Sequence, residues 1–187
     1  MSPWRRTLRS RPRAFCTTSE ARSSLVLVDG FACLYQAHYG QKWRDSRNSR
    51  DEPTWAVYGF MRQLLRLVDE LQPSHVAVMM DNRAAPLRRR SWFEDYKKDR
   101  EPPPDDLVVQ FAKARDACEA FEIPLRSREG YEADDLIHTY AREAGEDFDV
   151  HIVSMDKDLA QLIRPNIWLH DTRSPAGRVD AEAVVAR

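Results

Sequence analysis

No apolar run approaches the ~20 residues that a helix needs to cross a bilayer. Cysteine is scarce as well. Cys16, Cys33 and Cys118 are the only three, they show no CxxC spacing, and any pairing within the chain leaves one over. That pattern argues for a reducing compartment and against a structural zinc site. The first 24 residues lack acids: against Arg5, Arg6, Arg9, Arg11, Arg13 and Arg22 they set only Glu20, a net of +5. The apolar centre of a secretory signal is missing there too. An acid-poor stretch rich in Arg, Ser and Thr reads as an organellar transit segment, mitochondrial or plastid, over residues 1–23. The other reading is a basic tail that touches nucleic acid through charge alone.

The remainder is the reverse case. With the chain near neutral at −1, residues 25–187 carry a net of −6. Hydrophobic residues at 42% and charged residues at 32% fit a globular protein, and 187 residues suit one domain better than two. "SLVLVDG", "SHVAVMMD", "DVHIVSMD" and "NIWLH" have the short apolar, β-branched character of buried strands. Between them lie helical patterns: "FACLYQAHYG", then "TWAVYGFMRQLLRLVDEL" with Thr54 as N-cap, then residues 105–121 and about 132–144. "QKWRDSRNSRDEP" (41–53) is a loop, and "VDAEAVVAR" looks like the start of another helix. Strands alternating with helices predict an α/β fold with a mostly parallel sheet. In such sheets the functional crevice lies beyond the carboxyl ends of the strands.

Three of the strands run into aspartate there: Asp29, Asp81, and Asp156 followed by Asp158. Taken singly, each is as well explained as a turn residue or helix cap. "GYEADDL" adds Glu132, Asp134 and Asp135 from a helix that enters at the same edge. Seven carboxylates facing one crevice repel one another unless a cation neutralises them. An oxygen-only donor set suits Mg²⁺ or Mn²⁺ rather than Zn²⁺. Two such ions are the usual device for hydrolysing a phosphodiester. On a regular helix Glu132 and Asp135 share a face, whereas Asp134 turns inward only if the helix begins inside the motif.

Residues 82–100 set seven bases against three acids and interleave Trp92, Phe93 and Tyr96. Arg88, Arg89, Tyr96 and Lys98 are the candidates here for gripping a nucleic acid strand, with positive charge for phosphates and aromatic faces for bases. The alternative is an amphipathic segment whose aromatics pack against the core.

In order and spacing, "LVLVDGFACLYQAHYG", "HVAVMMD", "FEDYKKDREPPPDDL", "GYEADDLIHTYARE" and "MDKDLAQLI…NIWLHDT" resemble the 5′–3′ exonuclease domain of bacterial-type DNA polymerase I, in the flap endonuclease superfamily. The likeness runs from about residue 24 to 187. It implies a PIN-like (Rossmann-like) fold, and a metal-dependent nuclease acting on DNA 5′ ends and flaps, with RNA primers as a further substrate. It also implies Asp29, Asp81, Glu132, Asp134 and Asp135 around one ion, with Asp156 and Asp158 toward a second. Lys97 and Arg100 are implied to contact the scissile phosphate, and Tyr35 to stack near the displaced nucleotide. Gln36 stands where bacterial members usually carry Arg, although the eukaryotic branch has a Tyr-Gln pair. Met155 replaces the usual Gly before "DKD". The family's next acidic motif and its helix–hairpin–helix-type DNA clamp have no counterpart up to residue 187. The expectation is therefore a second ion site lacking its far side. The alternative function is a non-catalytic nucleic-acid-binding remnant, or a fragment of a longer nuclease.

Overall fold

The computed structural model describes residues 22–40, 46–82, 88–99, 101–170 and 178–179. β1 (Ser23–Asp29) lies at the centre of a six-stranded sheet. On one side it pairs in parallel with β2 (His75–Met79), and β2 with β3 (Leu125–Arg126). On the other side it pairs in parallel with β4 (Phe148–Val153), and β4 with β5 (Ile167–His170). β6 (Arg178–Val179) closes that edge antiparallel to β5. The order β3-β2-β1-β4-β5-β6 bears out the mostly parallel sheet. The chain runs outward through β2 and β3, then crosses back to β4. This reversal makes the gap between β1 and β4 the point where parallel sheets open a binding crevice.

Alternation along the strands assigns the two faces. Val26 and Val28 of β1, with Val78 and Met80, turn toward α1 (Gly30–Tyr39), α2 (Trp55–Leu71) and α3 (Asp105–Ala120). There they meet Leu34, Phe60, Leu64 and Leu107. Leu27, Met79, Val150 and Ile152 turn the other way, onto Leu136, Ile137 and Ala141 of α4 (Ala133–Ala144) and Leu159 and Leu162 of a 3₁₀ turn (Lys157–Leu162). Each such buried Leu, Ile or Phe contributes about 2 kcal/mol. Because β1 is covered on both faces, its sequence is nearly unbroken in apolar residues.

α1 is pressed against β2 at Gly30. A Cβ there would lie 2.8 Å from Val78 Cγ1 and 3.1 Å from the Met79 carbonyl, and closer still to Met80 Sδ. This close approach fixes where α1 leaves the sheet, and so where Asp29 points.

The four expected strands and the first four expected helices are present, most ends within a residue or two, although β4 stops at Val153, three residues short of Asp156. Three expectations change. Thr54 does hold the N-cap position of α2, but its side chain makes no capping bond and its hydroxyl donates to the Ser46 carbonyl at 3.1 Å. The cap comes instead from α3: buried Gln110 accepts from the N–H groups of Ala56 (2.8 Å) and Val57 (3.3 Å). β3 and β6 are two residues each, too short to leave a periodic signal. Val179, the first residue of the expected last helix, is in β6, and residues 180–187 lie outside the described residues.

Candidate active site

Asp29 ends β1 and caps α1. Its Oδ1 accepts from the Ala32 N–H at 2.9 Å, and its Oδ2 from the Ser154 hydroxyl at 2.9 Å. The carboxyl is almost wholly buried, and burial pushes it up to about 6, against those two hydrogen bonds and helped by the charges of Asp81 and Asp156. Ser154, fully buried at the end of β4, also accepts from the Asp156 N–H at 3.1 Å and so ties the two strand ends together. Asp81, just beyond β2, accepts from the Ala133 N–H at 2.8 Å and fastens the start of α4 to the sheet edge.

Glu132 takes the N-cap position of α4, and its own N–H donates to Asp135 Oδ2 at 3.1 Å. The helix therefore begins inside the acidic motif, the condition under which Asp134 turns inward. Asp134 Oδ1 accepts from the Asp135 N–H at 2.8 Å. Burial raises its carboxyl above the ordinary range, Arg89 opposes the rise, and Asp135 and Glu132 add to it. Asp156 caps the 3₁₀ turn, accepting from the Asp158 N–H at 2.9 Å, and both carboxylates are exposed.

Two hollows share this wall. One, of about 390 Å³, is lined by Asp29, Asp81, Glu132 and Lys97, with Tyr35 at its side. The other, about 570 Å³, is lined by Asp135 and Asp158. Asp134 and Asp156 line both. The seven expected carboxylates are thus divided over two adjoining spaces rather than gathered in one.

The basic segment, expected to grip a nucleic acid strand, folds directly onto the acids. Arg89 donates from Nη1 to Glu132 (3.1 Å) and Asp134 (3.2 Å), and from Nη2 to Asp135 (2.5 Å). Lys97, at φ +54°, places Nζ 2.5 Å from Glu132 Oε1. Burial works to lower the pKa of both cations, but the hydrogen bonds and charges of their partners prevail and the net shift is upward. Tyr96 donates to Glu132 at 2.9 Å. Arg88 reaches the Tyr131 hydroxyl. Lys98 is exposed and pairs with Asp95 at 3.1 Å, and it lines neither hollow. Trp92 and Phe93 are 69% and 70% exposed, so these two aromatics do not pack against the core. Arg100 lies outside the described residues.

The donors fit a hard divalent cation in kind, since carboxylate oxygens dominate the wall. Among the described residues no three acidic, His or Cys side chains converge as a ready group of ion ligands, and Arg89 bridges three of the carboxylates instead. Ser154, and Arg126 and Arg128 beside the larger hollow, had no signal in the sequence. They reach the site only through the pairing of β1 with β4 and of β2 with β3.

A parallel sheet reversing beside an acidic edge, with cations folded over it, defines an α/β protein with a charged crevice at the carboxyl ends of its strands. Residues 24–187 match the family described as "5'-3' exonuclease, N-terminal resolvase-like domain", and the chain belongs to that family. DNA polymerase I of Rhizobium leguminosarum is 36% identical over 178 residues, covering 86% of this chain and 17% of that protein. The 5'-3' exonuclease of Bacillus subtilis is 35% identical over 147 residues, covering 78% of this chain and 49% of that one. The chain thus spans about a sixth to a half of the length of these relatives. Bacteriophage T5 flap endonuclease, solved as a pseudo-enzyme-product complex with DNA and metal ions, shares the fold at a TM-score of 0.61 and 18% identity, over 78% of this chain and 54% of that one. T5 5'-exonuclease with divalent zinc ions bound aligns at 0.60 and 20% identity, over 84% and 58%. The PIN-like α/β fold of these neighbours is the fold of this chain.

Proposed function

We propose that the chain hydrolyses DNA phosphodiester bonds at 5′ ends and flaps with Mg²⁺ or Mn²⁺, and that RNA primers are a second substrate. The observation that carries this reading is the acidic edge itself. Four separate segments, ending β1, ending β2, opening α4 and following β4, deliver seven carboxylates to two adjoining hollows. Bound ions supply the Lewis acidity that activates water and steadies the leaving oxygen. Asp29, Asp81, Glu132 and Asp134 hold the ion side next to Tyr35, and Asp156 and Asp158 the other. Buried Asp29 and Ser154 keep the strand ends in register. Lys97 leaves Glu132 and turns its ammonium to the scissile phosphate. Arg100 acts from the same segment, and Tyr35 stacks on the neighbouring base.

Residues 1–23 fit delivery to a mitochondrion or plastid, where replication and repair generate such ends; a reporter fused to them that enters neither organelle would refute this. A second reading, a nucleic-acid-binding module without cleavage, is favoured by Arg89 and Lys97, whose charges are paired with Asp135 and Glu132 at the wall itself. One assay separates the two. A 5′-flap DNA and a single-stranded RNA are incubated with the chain and Mg²⁺ or Mn²⁺, beside an Asp134→Ala variant. Cleavage of the flap that needs the ion and disappears in the variant is the expected result. Binding without cleavage leaves the module.

A further inference from the structure

Under the proposed reaction the hollow beside Tyr35 takes the reacting phosphate, and the larger one of about 570 Å³ takes no more than the second ion, at its Asp156 and Asp158 side. It is also lined by the end of β3 and the loop that leads from it to α4. Arg126 and Arg128 stand there, both exposed, and among the described residues neither guanidinium has a carboxylate partner. Arg128 is held over the Tyr131 ring at 5.2 Å, with Arg88 over the same ring at 5.3 Å. The Arg88 N–H donates to the Gly130 carbonyl at 3.0 Å, which fastens the basic segment to this loop. Tyr140, 39% exposed, stands at the rim.

We infer that the larger hollow is a second nucleotide subsite, in which Arg126 and Arg128 take the phosphate next to the one cleaved and Tyr140 takes its base. The inference rests on the acidic edge being the cleavage wall. Asp134 and Asp156 line both hollows, so a strand whose phosphate sits between them has a neighbouring nucleotide on each side. A polyanion running past Asp135 and Asp158 needs a cationic wall facing it, and this loop provides one. Base stacking on an exposed tyrosine is indifferent to sequence, as a subsite for arbitrary DNA or RNA must be.

The test is the affinity of a 5′-phosphorylated single-stranded oligonucleotide at rising salt, without divalent ion, for wild type, R126A/R128A and R126K/R128K. Each lost phosphate contact lowers the salt slope by about 0.7. The alanine pair, which frees that one phosphate, is therefore expected to lose about 0.7 in slope and roughly 5-fold in affinity at 0.1 M salt. The lysine pair keeps most of the slope. Both arginines are exposed, so the fold survives, which circular dichroism checks. An unchanged slope overturns the subsite, as does a wild type that does not bind. Flap cleavage in Mg²⁺, measured alongside, keeps the two ideas apart. Cleavage with an unchanged slope sinks the subsite alone, and slope loss without wild-type cleavage sinks the nuclease and leaves the subsite.

Discussion

Asp29 serves three demands that conflict. It caps α1, it receives Ser154 from the neighbouring strand, and it offers charge to the crevice, all from an almost fully buried position. The first two need an acceptor oxygen and no charge. Only the third needs the anion, and burial makes that anion costly. With a folded value of about 6 against an ordinary 3.8, the native state holds a proton that the unfolded chain has already released between those two pH values. Stability from this group is therefore fully present below about pH 4 and is lost as pH rises through about 6, by about 3 kcal/mol in all. Asp29→Asn keeps the acceptor for Ala32 and carries no charge. In urea denaturation with chelator present, the variant is expected to be more stable than wild type above pH 6 and to match it near pH 4. Parallel profiles across that window would mean the Asp29 carboxyl is not the titrating group.

Elements are where sequence and structure part company. The strand-end aspartates could be read because a β-branched run that stops at Asp shows both the strand and the direction of its end. α4 was legible from its 3.6-residue period, and Glu132, Asp134 and Asp135 came with it. What could not be read depends on contacts far apart in the chain. Arg89 reaches Asp135, 46 residues on, so a side chain expected to grip phosphate is instead paired with the acids. The start of α2 is a second case, since Gln110 caps it from 54 residues away. Nothing about a lone glutamine in a helical pattern announces this. Its Nε2 donates to the Asp106 carbonyl at 2.9 Å, so both ends of the amide are satisfied in the core between α2 and α3. Gln110→Leu keeps the bulk and strands the Ala56 N–H. A buried donor left unpaired costs about 2 kcal/mol, so the urea midpoint is expected to fall accordingly with the slope unchanged. A loss below about 0.5 kcal/mol, within the range of ordinary surface substitutions, would show that water caps the helix equally well.

At the scale of the whole molecule the governing quantity is how the acidic edge is neutralised. Residues 25–187 carry a net of −6, and the acids are concentrated at one end of the sheet. Arg89 and Lys97 pair with the acids at this edge. Internal and external cations then bind the same oxygens, and each must weaken the other's hold by the same free energy, typically 1–3 kcal/mol. Arg89→Ala removes the internal competitor. The variant is expected to melt below wild type in chelator, because Asp134 and Asp135 lose their counter-charge and Glu132 keeps only Lys97. It should gain more from Mn²⁺, since an ion that binds the folded state alone stabilises it in proportion to its occupancy. Thermal scans of both proteins over a Mn²⁺ titration measure this, and the midpoint concentration for Arg89→Ala should be several-fold lower. Equal midpoints would mean that Arg89 and the ion occupy different oxygens. In that case the basic segment would not need to lift for an ion to enter, and its fold over the acids would be part of the assembled site rather than a placeholder for the cation.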